Sequence, residues 1–154
     1  MLFGMDHNVA VRAVNHGTAE YYTAVALRRR ILRAPLGFDF EPAELEAEVG
    51  DIHLIAERLG SVVACAVLTW VGHGTLKLRQ MAVDEHCQGQ GIGRAVVEAA
   101  EVEAEDQGAD RLMLHARRTA LGFYELMGYV VDGEEFSEVT IPHRCMVKVL
   151  RRAA

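Results

Sequence analysis

The sequence predicts an α/β fold in which a mixed, mostly antiparallel sheet carries helices on both faces. Three observations predict it. Short apolar runs separated by Gly-rich turns alternate with segments whose apolar residues recur at helical spacing. The resulting element order reads βααβββαβαββ. No linker, internal repeat or low-complexity stretch interrupts it, so residues 1–154 are expected to form a single domain.

The elements follow in order. Residues 8–13 form a first strand in which Val9 and Val11 alternate with other positions. Thr18 caps a helix, Glu20 occupies the first turn favoured by the dipole, and Ala24, Leu27 and Ile31 line one face until Pro35 ends it. Pro42 suits the first turn of a short second helix carrying Glu44, Glu46 and Glu48. Ile52–Arg58 and residues 62–71 are apolar-rich runs flanking Leu59-Gly60-Ser61, a hairpin, and Gly72-His73-Gly74 turns the chain back into residues 75–84. After Gly91 the period changes, with Ile92, Ala95, Val96, Ala99 and Ala100 on one helical face that closes near Gly108. Residues 111–116 read as a buried strand, 119–127 as a short helix with Gly128 just beyond its end, and 129–136 and 145–150 as two final strands.

Composition narrows the function. Hydrophobic residues make up 51% and charged residues 25%, an ordinary globular balance. A formal charge of −6, from 16 Lys+Arg against 22 Asp+Glu, argues against a nucleic-acid binder that relies on phosphate neutralisation. The start lacks a basic segment followed by an apolar one, and the longest apolar run, 62–68, is too short for a bilayer; a cytoplasmic protein without a membrane partner is expected. Cys65, Cys87 and Cys145 form no C-x-x-C pair, which predicts neither a disulfide framework nor a metal site. Ser61 and Ser137 lie outside any G-x-S-x-G elbow, excluding a hydrolase of that type.

The most informative stretch is Gln88-Gly89-Gln90-Gly91-Ile92-Gly93-Arg94, between a strand and a helix. Alternate glycines let several N–H groups converge on an anion where the helix dipole also favours negative charge, and a pyrophosphate fits there. A tight strand-to-helix turn needs the same glycines, so the loop alone leaves both readings open. It is not a P-loop, which requires Gly-Lys followed by Ser or Thr. Nor is it a dinucleotide fingerprint, because Arg94 stands where the third glycine belongs.

Gln88-x-x-Gly91-x-Gly93, followed later by Phe123-Tyr124-Glu125-Leu126-Met127-Gly128-Tyr129, resembles the two signature segments of the GCN5-related N-acetyltransferases (GNAT). The ending Phe136-x-Glu138-x-x-Ile141-Pro142-His143-x-x-Met146 resembles the ElaA-like branch. The resemblance implies an enzyme with acetyl-CoA as cosubstrate that transfers acetyl to a primary amine by direct attack. It assigns the acetyl-CoA pyrophosphate to the backbone of Gln88, Gly89, Gln90, Gly91, Ile92, Gly93 and Arg94, with charge added by the Arg94 side chain. It pairs the pantetheine arm with Met81, Ala82 and Val83, the Met81 N–H facing the thioester carbonyl. It makes Tyr124 the general acid, since a phenol of pKa near ~10 can protonate a departing thiolate whose conjugate acid lies near ~8.5. The alternative for Tyr124 is a core tyrosine.

Two positions depart from the pattern. Arg117 replaces an Asn that contacts the cofactor in many members and is kept as a candidate cofactor-binding residue, and Lys77 replaces a Glu that serves some as base. The base is then Glu138, His143 or a water reached through either. Ile141-Pro142-His143 reads equally as a rigid turn before the last strand, with His143 bonding backbone. His115 and His86 are expected to be structural, and Cys87 a small apolar residue rather than an acyl carrier. Arg28, Arg29, Arg30 and Arg33 spread around a helix and predict a solvated face; an arginine among them at the site would suit an acidic acceptor, whereas the acidic second helix would suit a cationic one. The acceptor stays open. Outside catalysis, the same loop would serve an acyl-CoA-binding regulatory module or a nucleotide-binding domain.

Overall fold

The computed structural model describes residues 9–150, so Asn8 of the predicted first strand lies outside the described residues. Among the described residues eight strands form one sheet: β1 Ala10–Val14, β2 Ile52–Arg58, β3 Ser61–Gly72, β4 Thr75–Val83, β5 Arg111–Arg117, β6 Val130–Val131, β7 Phe136–Glu138 and β8 Ile141–Val149. Their order is β1-β2-β3-β4-β5-β8-β6, with β7 on β8. Every pairing is antiparallel except β4 with β5. That exception follows from the connection, because parallel neighbours need a crossover, here α3 Ile92–Asp106.

The predicted apolar face of α3 is the buried one: Ile92, Ala95, Val96, Ala99 and Ala100 pack on Leu54, Ala66, Leu68, Leu76, Leu112 and Met146. On the opposite face, Ala24 and Leu27 of α1 Ala19–Arg28 cover Ile55, Cys65 and Ala82. With both faces covered, β2 and β3 are near-continuous apolar runs rather than alternating ones. Thr18 caps α1 as expected, its hydroxyl accepting from the Tyr21 N–H.

Helical spacing misplaced where α1 ends. Pro35 lacks an N–H and its ring would crowd the carbonyl of Ile31 in an α-helix. Before it the chain widens into a π turn, Arg29–Arg33, closed by the Ala34 N–H on the Arg29 carbonyl, and then tightens into a 3-10 turn, Ala34–Leu36. Gly37, at φ 76, releases the chain toward α2 Pro42–Glu46. Near the other end, Arg118–Ala120 is a 3-10 turn leading into α4 Leu121–Leu126.

The last strands also differ from expectation. The predicted strand over 129–136 is only β6 at Val130–Val131, while β7 is an extra strand and β8 starts at Ile141 rather than Cys145. Ile141-Pro142-His143 is therefore strand, not a turn. β7 and β8 meet through the two residues Val139 (φ 49) and Thr140 (φ 62), the hairpin geometry in which both central residues are left-handed. No helix among the described residues is long and apolar enough to cross a membrane.

Candidate active site

β4 and β5 pair only from Thr75 opposite Arg111 to Leu78 opposite Leu114. Beyond that point β4 continues to Val83 and β5 to Arg117 with no pairing between them. A bulge opens β4 further: Arg79 pairs with Val67 and Ala82 with Cys65, so Gln80 and Met81 both stand against Ala66. Gln80 takes φ 55, and its side-chain oxygen accepts from Arg28 Nε at 3.3 Å. A cavity of about 520 Å³ occupies the parting of the strands. Into it the fold brings Met81 from β4, His115 and Arg117 from β5, Tyr124 from α4, and Glu138 and His143 from the last hairpin.

Residues directly opposite on paired strands share a face, which groups the polar side chains. Arg117 opposes His143, His143 opposes Phe136, and His115 opposes Cys145. His115 Nδ1 lies 3.0 Å from Glu138 Oε1, and a carboxylate only accepts, so Nδ1 carries the proton. His143 Nδ1 donates to the Ile141 carbonyl at 2.7 Å, which turns Nε2 to Glu138 Oε2 at 3.7 Å. Burial alone would push the Glu138 carboxyl up. The His115 hydrogen bond and the charges of His115, Lys77 and His143 outweigh that and hold it below the usual carboxylate range. Burial pushes the Lys77 ammonium down.

Tyr124 is buried, its ring edge-on to Phe123 and Tyr129, and its hydroxyl makes no hydrogen bond among the described residues. Burial raises its pKa to about 12, so the phenol keeps its proton across the physiological range. It therefore has a proton to give and no partner holding it.

The Gly-rich loop lies beyond the cavity wall, at the start of α3. Gly89 and Gly91 take φ 76 and 79, and a Cβ at Gly89 would meet nothing within 4 Å. Gly91 caps α3 without a side-chain hydrogen bond, and the first turn holds no acidic residue. The initial N–H groups are thus left for an anion, as a pyrophosphate requires. The loop is tied down through its side chains: Gln88 donates to the Val83 carbonyl at 3.1 Å, and Arg58 reaches Gln90 at 2.6 Å and Cys87 Sγ at 3.0 Å. Arg94 pairs with Glu98 at 3.0 Å. Gly93 faces Phe123 and Val83, which joins this helix end to the helix carrying Tyr124. The residues present fit the cosubstrate's phosphates.

An acetyltransferase (GNAT) domain model matches residues 39–150. The chain is 31% identical over 134 residues to a Bacillus subtilis (strain 168) protein named "Putative acetyltransferase", covering 84% of this chain and 89% of that one. The chain belongs to the GNAT family. It is accordingly an N-acetyltransferase, with acetyl-CoA as its cosubstrate. In fold it is similar to Escherichia coli ElaA, with a TM-score of 0.78 at 15% identity over 91% of this chain and 99% of that one. It is likewise similar to a GNAT acetyltransferase of Elizabethkingia anophelis solved with acetyl-CoA, with a TM-score of 0.72 at 17% identity over 93% and 99% of the two chains.

Within this GNAT fold some expected residues gather in the cavity and others do not. Met81, Arg117, Tyr124, Glu138 and His143 line it, while Ala82 is buried under α1 and Val83 packs against the α3 side. His115, expected to be a satisfied structural histidine, is hydrogen-bonded to Glu138; its place on the face shared with Arg117 and His143 is the signal that strand parity offered. Arg28 is not solvated. It is 2% exposed and binds both oxygens of Glu48, itself 3% exposed, at 2.9 and 2.8 Å. No residue of the acidic second helix lines the cavity; Glu44 neutralises the lining Arg33, and Glu48 and Asp51 the lining Arg79. At the surface His86 stands with Asp84 and Glu85, whose carboxylates Arg30 holds.

Proposed function

We propose that this N-acetyltransferase acetylates a primary amine by direct attack, with Glu138 and His143 removing the amine's proton and Tyr124 returning one to sulfur. One observation carries the reading: the parting of β4 and β5 opens a cavity lined by Tyr124, the bulged Met81 and the Glu138–His143 pair. Bound acetyl-CoA supplies the activated acyl group and a thiolate leaving group. The N–H groups from Gln88 to Arg94 anchor phosphate at the start of α3. Met81, carried by the bulge, presents a backbone donor where negative charge develops during acyl transfer.

An amine must lose a proton to complete the reaction. His143 Nε2 is the base with an available lone pair, and Glu138 beside it stabilises the imidazolium that forms. His115, donating to the other carboxylate oxygen, fixes the orientation of Glu138. Lys77 does not have to replace the missing glutamate, since the last hairpin supplies a carboxylate to the same cavity.

Acetyl-CoA titrated with a panel of primary amines, reading released thiol and the mass of the acetylated product, tests this. Thiol release that requires the amine is the expected result. Tight acetyl-CoA binding without turnover of any amine would instead establish the non-catalytic acyl-CoA-binding module.

A further inference from the structure

The charges around Glu138 are unbalanced. Arg33, Lys77, Arg79 and Arg117 line the cavity, and Glu138 is the one carboxylate among its described lining residues. Two of the four cations are accounted for: Arg33 pairs with Glu44 at 3.3 Å, and Arg79 with Glu48 at 3.0 Å. The side chains of Lys77 and Arg117 make neither an ion pair nor a hydrogen bond among the described residues. Both are partly buried, and of the two only Lys77 feels the Glu138 charge, without contacting it.

Their placement narrows what they are for. Arg117 opposes His143 on β8, so its side chain leaves the sheet on the face of Glu138 and the two histidines rather than on the face of Ala116, which packs into the core with Tyr124. Lys77 is on the same face of neighbouring β4, opposite Met113 and two positions along from His115. The pyrophosphate loop lies beyond the cavity wall and has its own helix N-terminus, so it does not call on these cations. With Arg33 and Arg79 already paired, an acceptor that is purely cationic would meet the positive groups of Lys77 and Arg117 against the single carboxylate of Glu138. An acceptor that brings a negative charge would complete the set.

Resting on the acetyl-transfer reading above, we propose that the acceptor is a small amine that also bears a carboxylate, an amino acid or close analogue. Arg117 and Lys77 hold the carboxylate while the amino group faces the Glu138–His143 pair. The planar guanidinium of Arg117 offers the paired N–H groups that match a carboxylate, and Lys77 adds a point charge. A peptide N-terminus, whose neighbouring carboxyl is an amide, lacks the feature this arrangement selects.

The test uses matched sets, each holding an amino acid, its amide, its decarboxylated amine and its phosphonate analogue, with thiol release as readout. The carboxylate member is expected to exceed the amide and the amine by at least about tenfold in kcat/KM. Arg117→Gln and Lys77→Met are each expected to raise KM for the amino acid by about tenfold or more, with a smaller change in kcat and unaltered acetyl-CoA affinity by calorimetry. Amides or simple amines used as well as the acids would overturn the carboxylate assignment and leave acetyl transfer standing. A phosphonate preferred to the carboxylate would overturn it too, as would an Arg117→Gln variant whose defect is in acetyl-CoA affinity. Turnover of no member of any set overturns the carboxylate assignment, and the amine panel above decides the acetyl-transfer reading separately.

Discussion

Glu48→Gln is predicted to destabilise this protein more than any other single charge removal near the site. Glu48 is 3% exposed and receives Arg28 at 2.9 and 2.8 Å, Arg79 at 3.0 Å and the Tyr21 hydroxyl at 3.3 Å. Neutralising it leaves the Arg28 guanidinium, 2% exposed, without a counter-charge: its remaining partners are neutral, the amide oxygens at position 48 and of Gln80 and the face of Phe40 at 4.7 Å. Stranding a buried charge in this way costs about 3–5 kcal/mol. For a chain of this size that corresponds to a fall in Tm of roughly 6–20 °C. Arg28→Met leaves Glu48 with Arg79 and Tyr21, so its cost is smaller, about 2–3 kcal/mol. Removing both charges, as Arg28→Met with Glu48→Leu, strands no buried ion and should be milder than Glu48→Gln alone.

Urea unfolding followed by far-UV circular dichroism measures these differences as midpoint shifts at constant slope. The pH dependence supplies an independent check. Burial raises the Glu48 pKa, but Arg28 and Arg79 more than offset this, so the folded-state value is depressed. Its contribution is fully present above the ordinary carboxylate pKa and disappears as pH falls through the depressed one, so the gap between wild type and Glu48→Gln should close in acid. An unchanged urea midpoint for Glu48→Gln at neutral pH, or a gap that persists undiminished in acid, refutes the reasoning.

The other predictions concern chemistry and the last hairpin. Tyr124→Phe should lower kcat by about 10²-fold or more with little change in acetyl-CoA affinity, and full activity under single-turnover conditions would return Tyr124 to a packing role. Because Tyr124 titrates at about 12, the wild-type pH–rate profile should show no falling limb from this phenol below about pH 11. Gly91→Val forces a β-branched residue to φ 79 at the start of α3 and should weaken acetyl-CoA binding strongly in a protein whose circular dichroism still reports a folded chain; unchanged calorimetric affinity would mean that the loop does not bind phosphate. Replacing Val139-Thr140 by Asn-Gly suits the left-handed turn and should raise stability by about 1–3 kcal/mol, which the urea midpoint reports.

What the sequence determined is what short-range chemistry dictates. The helical spacing from Ile92 to Ala100 specified the buried face of α3, Thr18 specified the start of α1, and the alternating glycines after β4 specified an uncapped helix end. The two signature segments around Gly91 and Tyr124 carried the family, because each is contiguous in the chain and needs no long-range pairing to be read. The β7–β8 hairpin was not legible, since Val139 and Thr140 hold left-handed conformations without the Gly or Asn that announces such a turn. The bulge at Gln80 was hidden for the same reason.

Pairing across long separations was decided only by the tertiary structure. Arg28 looks like a surface arginine in its run of basic residues, and it became buried because Glu48 arrived at the same place from another element. His115 looked like a lone strand histidine until β8 and β7 set Glu138 beside it. A charged side chain's burial and role depend on the partner that meets it in space, and local sequence does not specify that partner.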